Sequence, residues 1–297
     1  MTPIKAAKVA VVTDSVANIP PELVEKYDIR VIPLYLSVDG ILYKEGIEIG
    51  PEKVYDLLLS GSRIKSSTPS VMDFMEVYRD IQEKSCPDVI YSIHISSALS
   101  GTVNSAGAAA GSLKGINVKI IDSRMAAVGE GFMALAAAAA AKRKDSPETI
   151  ESMLDDIRRQ SYFYATFDNF EYVVRGGRAP FLAGFARRMM PLKAVIGFNE
   201  GGGLGLKRFC LDRNSSIKAL FALIKKDMAA SGMKSCLIGI CYGNNAGPAE
   251  MLKDMVEDDR DIKARDVIMT RMTSVMAAHT GPGIWGISAC PAFVRSL

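Results

Sequence analysis

Short apolar runs alternate with helix-like segments through the first half of the chain, and this alternation constrains the fold more than any other feature. Residues 9–13 (Val9-Ala10-Val11-Val12-Thr13), 31–38, 88–95 and 118–121 read as buried strands. Between them, 21–27, 51–59, 71–83 and 101–112 carry helical spacing or helix-forming composition. Strands that alternate with helices predict βαβ units around a parallel sheet. Residues 125–144 follow as a long alanine-rich helix ending in Lys142-Arg143-Lys144, cations that suit a helix C-terminus. A further helix is predicted over 147–160.

The second half has a different grammar. Residues 162–167, 194–198, 204–209, 235–242, 267–272 and 284–289 read as strands, with helices over 215–231 and 249–258. Asn199-Glu200-Gly201-Gly202-Gly203 between two of the strands predicts a hairpin turn. Hairpins with flanking helices point to a mixed or antiparallel sheet. The chain has 297 residues, enough for two domains. We place the boundary near residue 160, giving an N-terminal α/β domain over 1–160 and a C-terminal one over 161–297.

Several function classes are disfavoured. Lys and Arg number 36 against 33 Asp and Glu, a net charge of +3 with the basic residues scattered, so nucleic-acid binding is not expected. The 5 cysteines form no CxxC pair and read as reduced thiols. With only 2 histidines, His94 and His279, no metal site is predicted. The N-terminus lacks an apolar leader, and the longest uncharged helical run, 131–141, is shorter than the ~20 apolar residues of a membrane span. A cytoplasmic protein without stable membrane insertion is the expectation. There is no GxxxxGK[ST] cradle and no GxSxG nucleophile elbow, so neither nucleotide chemistry nor an α/β-hydrolase is indicated and no cofactor is expected.

Three hydroxyl-rich segments stand at element ends in the first half. They are Thr13-Asp14-Ser15, Ser66-Ser67-Thr68-Pro69-Ser70 and Ser96-Ser97-Ala98-Leu99-Ser100-Gly101-Thr102. In open α/β sheets ligands sit beyond the carboxyl ends of strands, and helix N-termini there suit an anion. The same residues are also ordinary helix caps, with Pro69 in the first-turn position. Arg175-Gly176-Gly177-Arg178 offers close backbone approach and an arginine able to clamp an anion. His279-Thr280-Gly281-Pro282-Gly283 places a histidine beside a rigid turn, whereas His94 alternates within an apolar strand and reads as structural.

In this order, these segments resemble the DegV family of bacterial fatty-acid-binding proteins. Ile19-Pro20, Lys65, Ile95 and Ile121-Asp122-Ser123-Arg124 with Gly129 and Gly131 extend the resemblance to almost the whole chain. The resemblance implies a two-domain α/β fold with a long-chain fatty acid buried between the domains. It implies that Ser66, with Ser67 next to it, and either Ser96 or Ser97 hold the carboxylate, with Arg178 and His279 beside it. Ser66 stands where threonine is usual in the family and Thr68 where glutamine is common. Such proteins can present the acid to a fatty-acid kinase, and the resemblance implies that partner here. Arg208 and Arg213 are candidates for docking it. Met189, Met190, Met269, Met272 and Met276 are candidates for an adaptable tunnel wall.

Two functions compete, and a third, a domain of a small-molecule kinase, is disfavoured by the absence of a nucleotide motif. One is a non-catalytic lipid carrier. The other is a lipid hydrolase or acyltransferase with Ser66, Ser96 or Ser97 as nucleophile and His279 as base.

Overall fold

The structure is a computed structural model and describes residues 7–169, 171–184 and 192–297. Met189 and Met190 lie outside the described residues.

The first half builds two sheets. Strands β1 (Val9–Asp14), β2 (Ile29–Ile32), β6 (Val89–His94) and β7 (Val118–Asp122) form a parallel sheet in the order β2-β1-β6-β7. The long helices Val71–Ser85 and Thr102–Ser112 are crossovers of this sheet, as the alternation predicts. The apolar run over 31–38 is divided between two sheets. Pro33 has no N–H to give a ladder, and the chain leaves the parallel sheet there. It then re-enters as β3 (Tyr35–Val38), which pairs antiparallel with β4 (Ile41–Lys44) and β5 (Ile64–Ser67). Ser66 and Ser67 thus lie on a short strand, not in a loop.

The second half forms a six-stranded mixed sheet in the order β10-β9-β8-β13-β11-β12. Its strands are β8 (Tyr162–Phe167), β9 (Lys193–Phe198), β10 (Leu204–Cys210), β11 (Cys236–Tyr242), β12 (Ala264–Arg271) and β13 (Ile284–Pro291). All pairs are antiparallel except β11 with β12.

The alanine-rich helix, Val128–Arg143, lies between the parallel and mixed sheets. Every residue from Val128 to Ala140 is buried, which requires small side chains because the helix has no solvent face. Gly131 sits against the carbonyl of Ala17, and Val128 sits against Gly239 of β11, both too close for a Cβ on the glycine. The helix starts three residues later than expected. Ala127 has φ +53° and ψ −144°, a conformation outside the helical region.

Four of the five cysteines are buried free thiols, and Cys86 is exposed. Among the described residues no helix is long and apolar enough to cross a membrane.

Candidate functional site

His279 is positioned by a short helix, Ser274–Thr280, where the sequence alone predicts only a rigid turn. This helix has no side-chain cap of its own at Thr273. Instead, the buried Glu45 carboxylate accepts from the backbone N–H of Val275 and from the Ser15 hydroxyl. A carboxylate there complements the positive end of the helix. Burial pushes the Glu45 pKa above its usual value, with these hydrogen bonds opposing the shift. Ser274 Oγ donates to the Ile49 carbonyl at 3.0 Å. The segment after β4 therefore holds the start of the histidine helix, and β5 brings Ser66 to its end.

There, Ser66 Oγ and His279 Nε2 lie 2.6 Å apart. On the other side of the ring stands Gly176, where a Cβ would lie 2.5 Å from His279 Nδ1. That nitrogen is buried and has no hydrogen-bond partner among the described residues. Desolvation, and then the charge of Arg178, push the His279 pKa down to about 4, so the imidazole is neutral at neutral pH. The Arg178 guanidinium is held by two backbone carbonyls, donating from Nε to Leu99 at 3.2 Å and from Nη1 to Gly176 at 2.6 Å.

Ser66, Ser100, Arg178, His279 and Thr280 are the polar members of a cavity whose other walls are apolar. Leu34, Ile95, Ala126 and Val275 line one side, and Phe163, Ala165 and Phe167 of β8 line the other. The cavity volume is about 80 Å³. The bore is narrow, and its polar groups can hold one anionic head while its walls accept a chain.

Of the residues expected at the site, Ser66, Arg178 and His279 are brought together. Ser67, Ser96 and Ser97 do not line the cavity. Ser67 is exposed on alternate register from Ser66, as a strand requires. Ser96 is fully buried, and its hydroxyl donates to the Gly202 carbonyl at 2.7 Å. Ser97 is exposed, with its hydroxyl on Asp122 Oδ2 at 2.6 Å. The Ser96 and Ser97 hydroxyls are thus engaged by other partners, and Ser67 is on the exposed face of β5. Ser100, four residues on from Ser96, lines the cavity in their place. Neither it nor Glu45 stands out in the sequence. Ser100 belongs to the hydroxyl-rich segment 96–102, but Glu45 carries no local signal.

Other expectations resolve as follows. Met276 lines the cavity, whereas Met272 is core and Met269 packs against the core under the mixed sheet. Arg208 is exposed on β10. Arg213 pairs with Asp168 at 2.7 Å and covers the Trp285 ring. His94 is buried between Asp14, at 3.0 Å from Nδ1, and Ser92, at 2.6 Å from Nε2. The Ser-His-Asp order is that of a hydrolase triad, but Ser92 is sealed and shares its hydroxyl with Tyr78 Oη at 2.7 Å. Asp14 also accepts from the N–H of Ile95, so the network fixes the end of β6.

Comparison with known proteins bears on the family and the fold. A family model described as "Uncharacterised protein, DegV family" matches residues 8–292. A fatty acid-binding protein of Thermotoga maritima is 32% identical over 289 residues, covering 94% of this chain and 96% of its own. A DegV domain-containing protein of Clostridium acetobutylicum is 28% identical over 280 residues, covering 94% and 98%. Among solved structures, a fatty-acid-binding DegV family protein of Thermus thermophilus superposes with a TM-score of 0.89 at 28% identity, covering 96% of this chain and 100% of its own. With a match from residue 8 to residue 292, the chain belongs to the DegV family.

Proposed function

We propose that this protein is a cytoplasmic carrier that buries one long-chain fatty acid between its two parts, 1–160 and 161–297, and presents the carboxylate to a fatty-acid kinase. The observation that carries the reading is a narrow apolar cavity whose polar members, Ser66, Ser100, Arg178, His279 and Thr280, line one site. Each methylene removed from water contributes roughly 0.8 kcal/mol, so the tail supplies most of the affinity. A buried carboxylate costs several kcal/mol unless it is hydrogen-bonded or paired. A neutral histidine suits this role. Its Nε2–H would donate to Ser66 Oγ, freeing the Ser66 O–H for the carboxylate, while Arg178 supplies the charge. The relatives named as fatty-acid-binding proteins support the ligand class.

The Ser66–His279 pair also has the spacing of a nucleophile and base, which favours hydrolase or acyltransferase chemistry as the second reading. Two features weigh against it. Nδ1 has no orienting acid among the described residues, and a pKa lowered to about 4 makes a poor base at neutral pH.

Organic extraction of purified protein followed by mass spectrometry tests the carrier reading. About one equivalent of fatty acid per chain is expected, without ester turnover. Steady hydrolysis of long-chain esters would overturn it. The kinase step is tested with ATP and a fatty-acid kinase, comparing Arg178→Ala and His279→Ala with the unaltered protein. Acyl-phosphate formation should fall more than lipid affinity in both variants. Equal losses would leave storage as the function.

A further inference from the structure

The lipid cavity is separated from a second, wetter cavity by two aromatic rings. Phe163 and Phe198 line the first cavity, and both also line the second, which holds about 620 Å³ of water-accessible space. The ring centroids lie 5.6 Å apart with an interplanar angle of 60°, a tilted contact typical of stably packed aromatic pairs.

The rings stand at the end of the bore away from the histidine helix. Phe163, Ala165 and Phe167 share one face of β8 and all line the lipid cavity. Phe167 pairs across the sheet with Ile284, close after the histidine helix. Phe163, four residues away along the strand, is about 13 Å further on. Phe198 ends β9 opposite Leu204, beside the Asn199–Gly203 turn. Ser66 and His279 are thus at one end and the ring pair is at the other.

The chemistry changes across the pair. The far cavity adds Arg124, Arg158, Arg159 and Ser161 to Met125, Tyr162 and Tyr164, and the Ser161 hydroxyl is buried without a hydrogen-bond partner among the described residues. Arg158 pairs with Asp155 at 2.5 Å, Arg159 with Asp156 at 2.7 Å, and Arg124 donates to the Glu200 carbonyl at 3.1 Å. An alkyl chain entering there would displace water from charged groups, and the apolar wall offered by Met125, Tyr162 and Tyr164 is interrupted by them.

Building on the fatty-acid reading, we propose that Phe163 and Phe198 form a partition that sets the longest acyl chain the protein accepts. The partition ends the apolar bore, and a chain that reaches it meets a wall of mixed polar and apolar groups beyond. Removing either ring joins the two cavities and lets a longer tail continue.

The test is a series of saturated fatty acids from 10 to 22 carbons, with affinity read by displacement of a fluorescent fatty acid. In the unaltered protein, affinity should rise by up to about fourfold per added methylene, then fall once the chain exceeds the bore. Phe163→Ala or Phe198→Ala should move the optimum by about two to four carbons toward longer chains, the room left by a deleted ring. Phe163→Leu and Phe198→Leu, which leave smaller voids, should move it less and guard against loss of fold, which thermal melts would report. Phe163→Trp should shorten the optimum. An unchanged optimum in folded variants that still bind short acids would overturn the partition. Failure of the unaltered protein to bind any chain would instead overturn the fatty-acid reading, and the partition with it.

Discussion

Ser66 Oγ lies 2.6 Å from His279 Nε2, joining a three-stranded sheet from the first half to a helix that begins at Ser274. Both residues line the cavity. Ser66→Ala should therefore lower fatty-acid affinity by about 1.5–3 kcal/mol, roughly ten- to a hundredfold, the range for losing a hydrogen bond to a charged group. Ser97→Ala is the matched control. Its hydroxyl bonds to Asp122 at the surface, so affinity should be unchanged. Isothermal titration with a long-chain acid checks both, and a large loss in Ser97→Ala would return that residue to the site.

Gly176→Ala probes the other side of the same ring. The new Cβ would lie 2.5 Å from Nδ1, so the imidazole must move away from its place against Ser66. The affinity loss should match that of His279→Ala, although Gly176 offers the ligand no side chain. Lipid displacement on the two variants side by side checks this. Undiminished binding by Gly176→Ala would mean that the imidazole position does not matter.

The lowered His279 pKa gives a pH signature. The folded imidazole titrates near 4 and the unfolded one near 6.5. Between these values the unfolded chain binds more protons, so the contribution to stability is complete above 6.5 and is lost as pH falls toward 4. Glu45 and Glu130 act in the opposite sense. Burial raises both pKa values, and their neutral forms favour the fold at low pH. The difference between variants isolates the histidine. Between pH 7.5 and 4.5 the melting temperature of His279→Gln should fall less than that of the unaltered protein. Parallel curves would assign the histidine an ordinary pKa.

Ser96 binds the hairpin turn of the mixed sheet to the parallel sheet. Its hydroxyl donates to Gly202, whose φ of +77° lies in the left-handed region. A Cβ at Gly202 would collide with Ser96 Oγ and lie 2.9 Å from Arg124 Cα. Gly202→Ala should destabilise the fold by at least ~1–2 kcal/mol of backbone strain alone. Ser96→Ala should cost about 1–3 kcal/mol through the unpaired carbonyl it leaves. Denaturant melts of lipid-free protein check both. Loss of affinity without loss of stability in Ser96→Ala would instead make it a ligand donor.

The parallel sheet and the strands of the second half are legible in the sequence because periodicity reports burial directly. Residues 31–38 read as one strand because most positions are apolar enough for either sheet, and only Pro33 marks the break. Arg178 and His279 can be found because their glycine-rich surroundings are distinctive. Spacing does not choose among six serines in two motifs. Whether Ser66, Ser96 or Ser100 reaches the cavity depends on strand register and on partners such as Gly202, over a hundred residues away. The histidine helix leaves little trace in the sequence because its N-terminal carboxylate comes from Glu45, far off along the chain.

The burial of the alanine-rich helix between both sheets has a consequence for how the molecule comes apart. A chain cut at residue 160 would leave that helix with one face bare, and the mixed sheet would lose the cover that Val128 and Gly129 give to Gly239 and Ser288. Neither fragment would be a smaller version of the whole. The two halves should therefore melt in a single step, and a lipid seated between them would raise that one transition instead of stabilising one half alone.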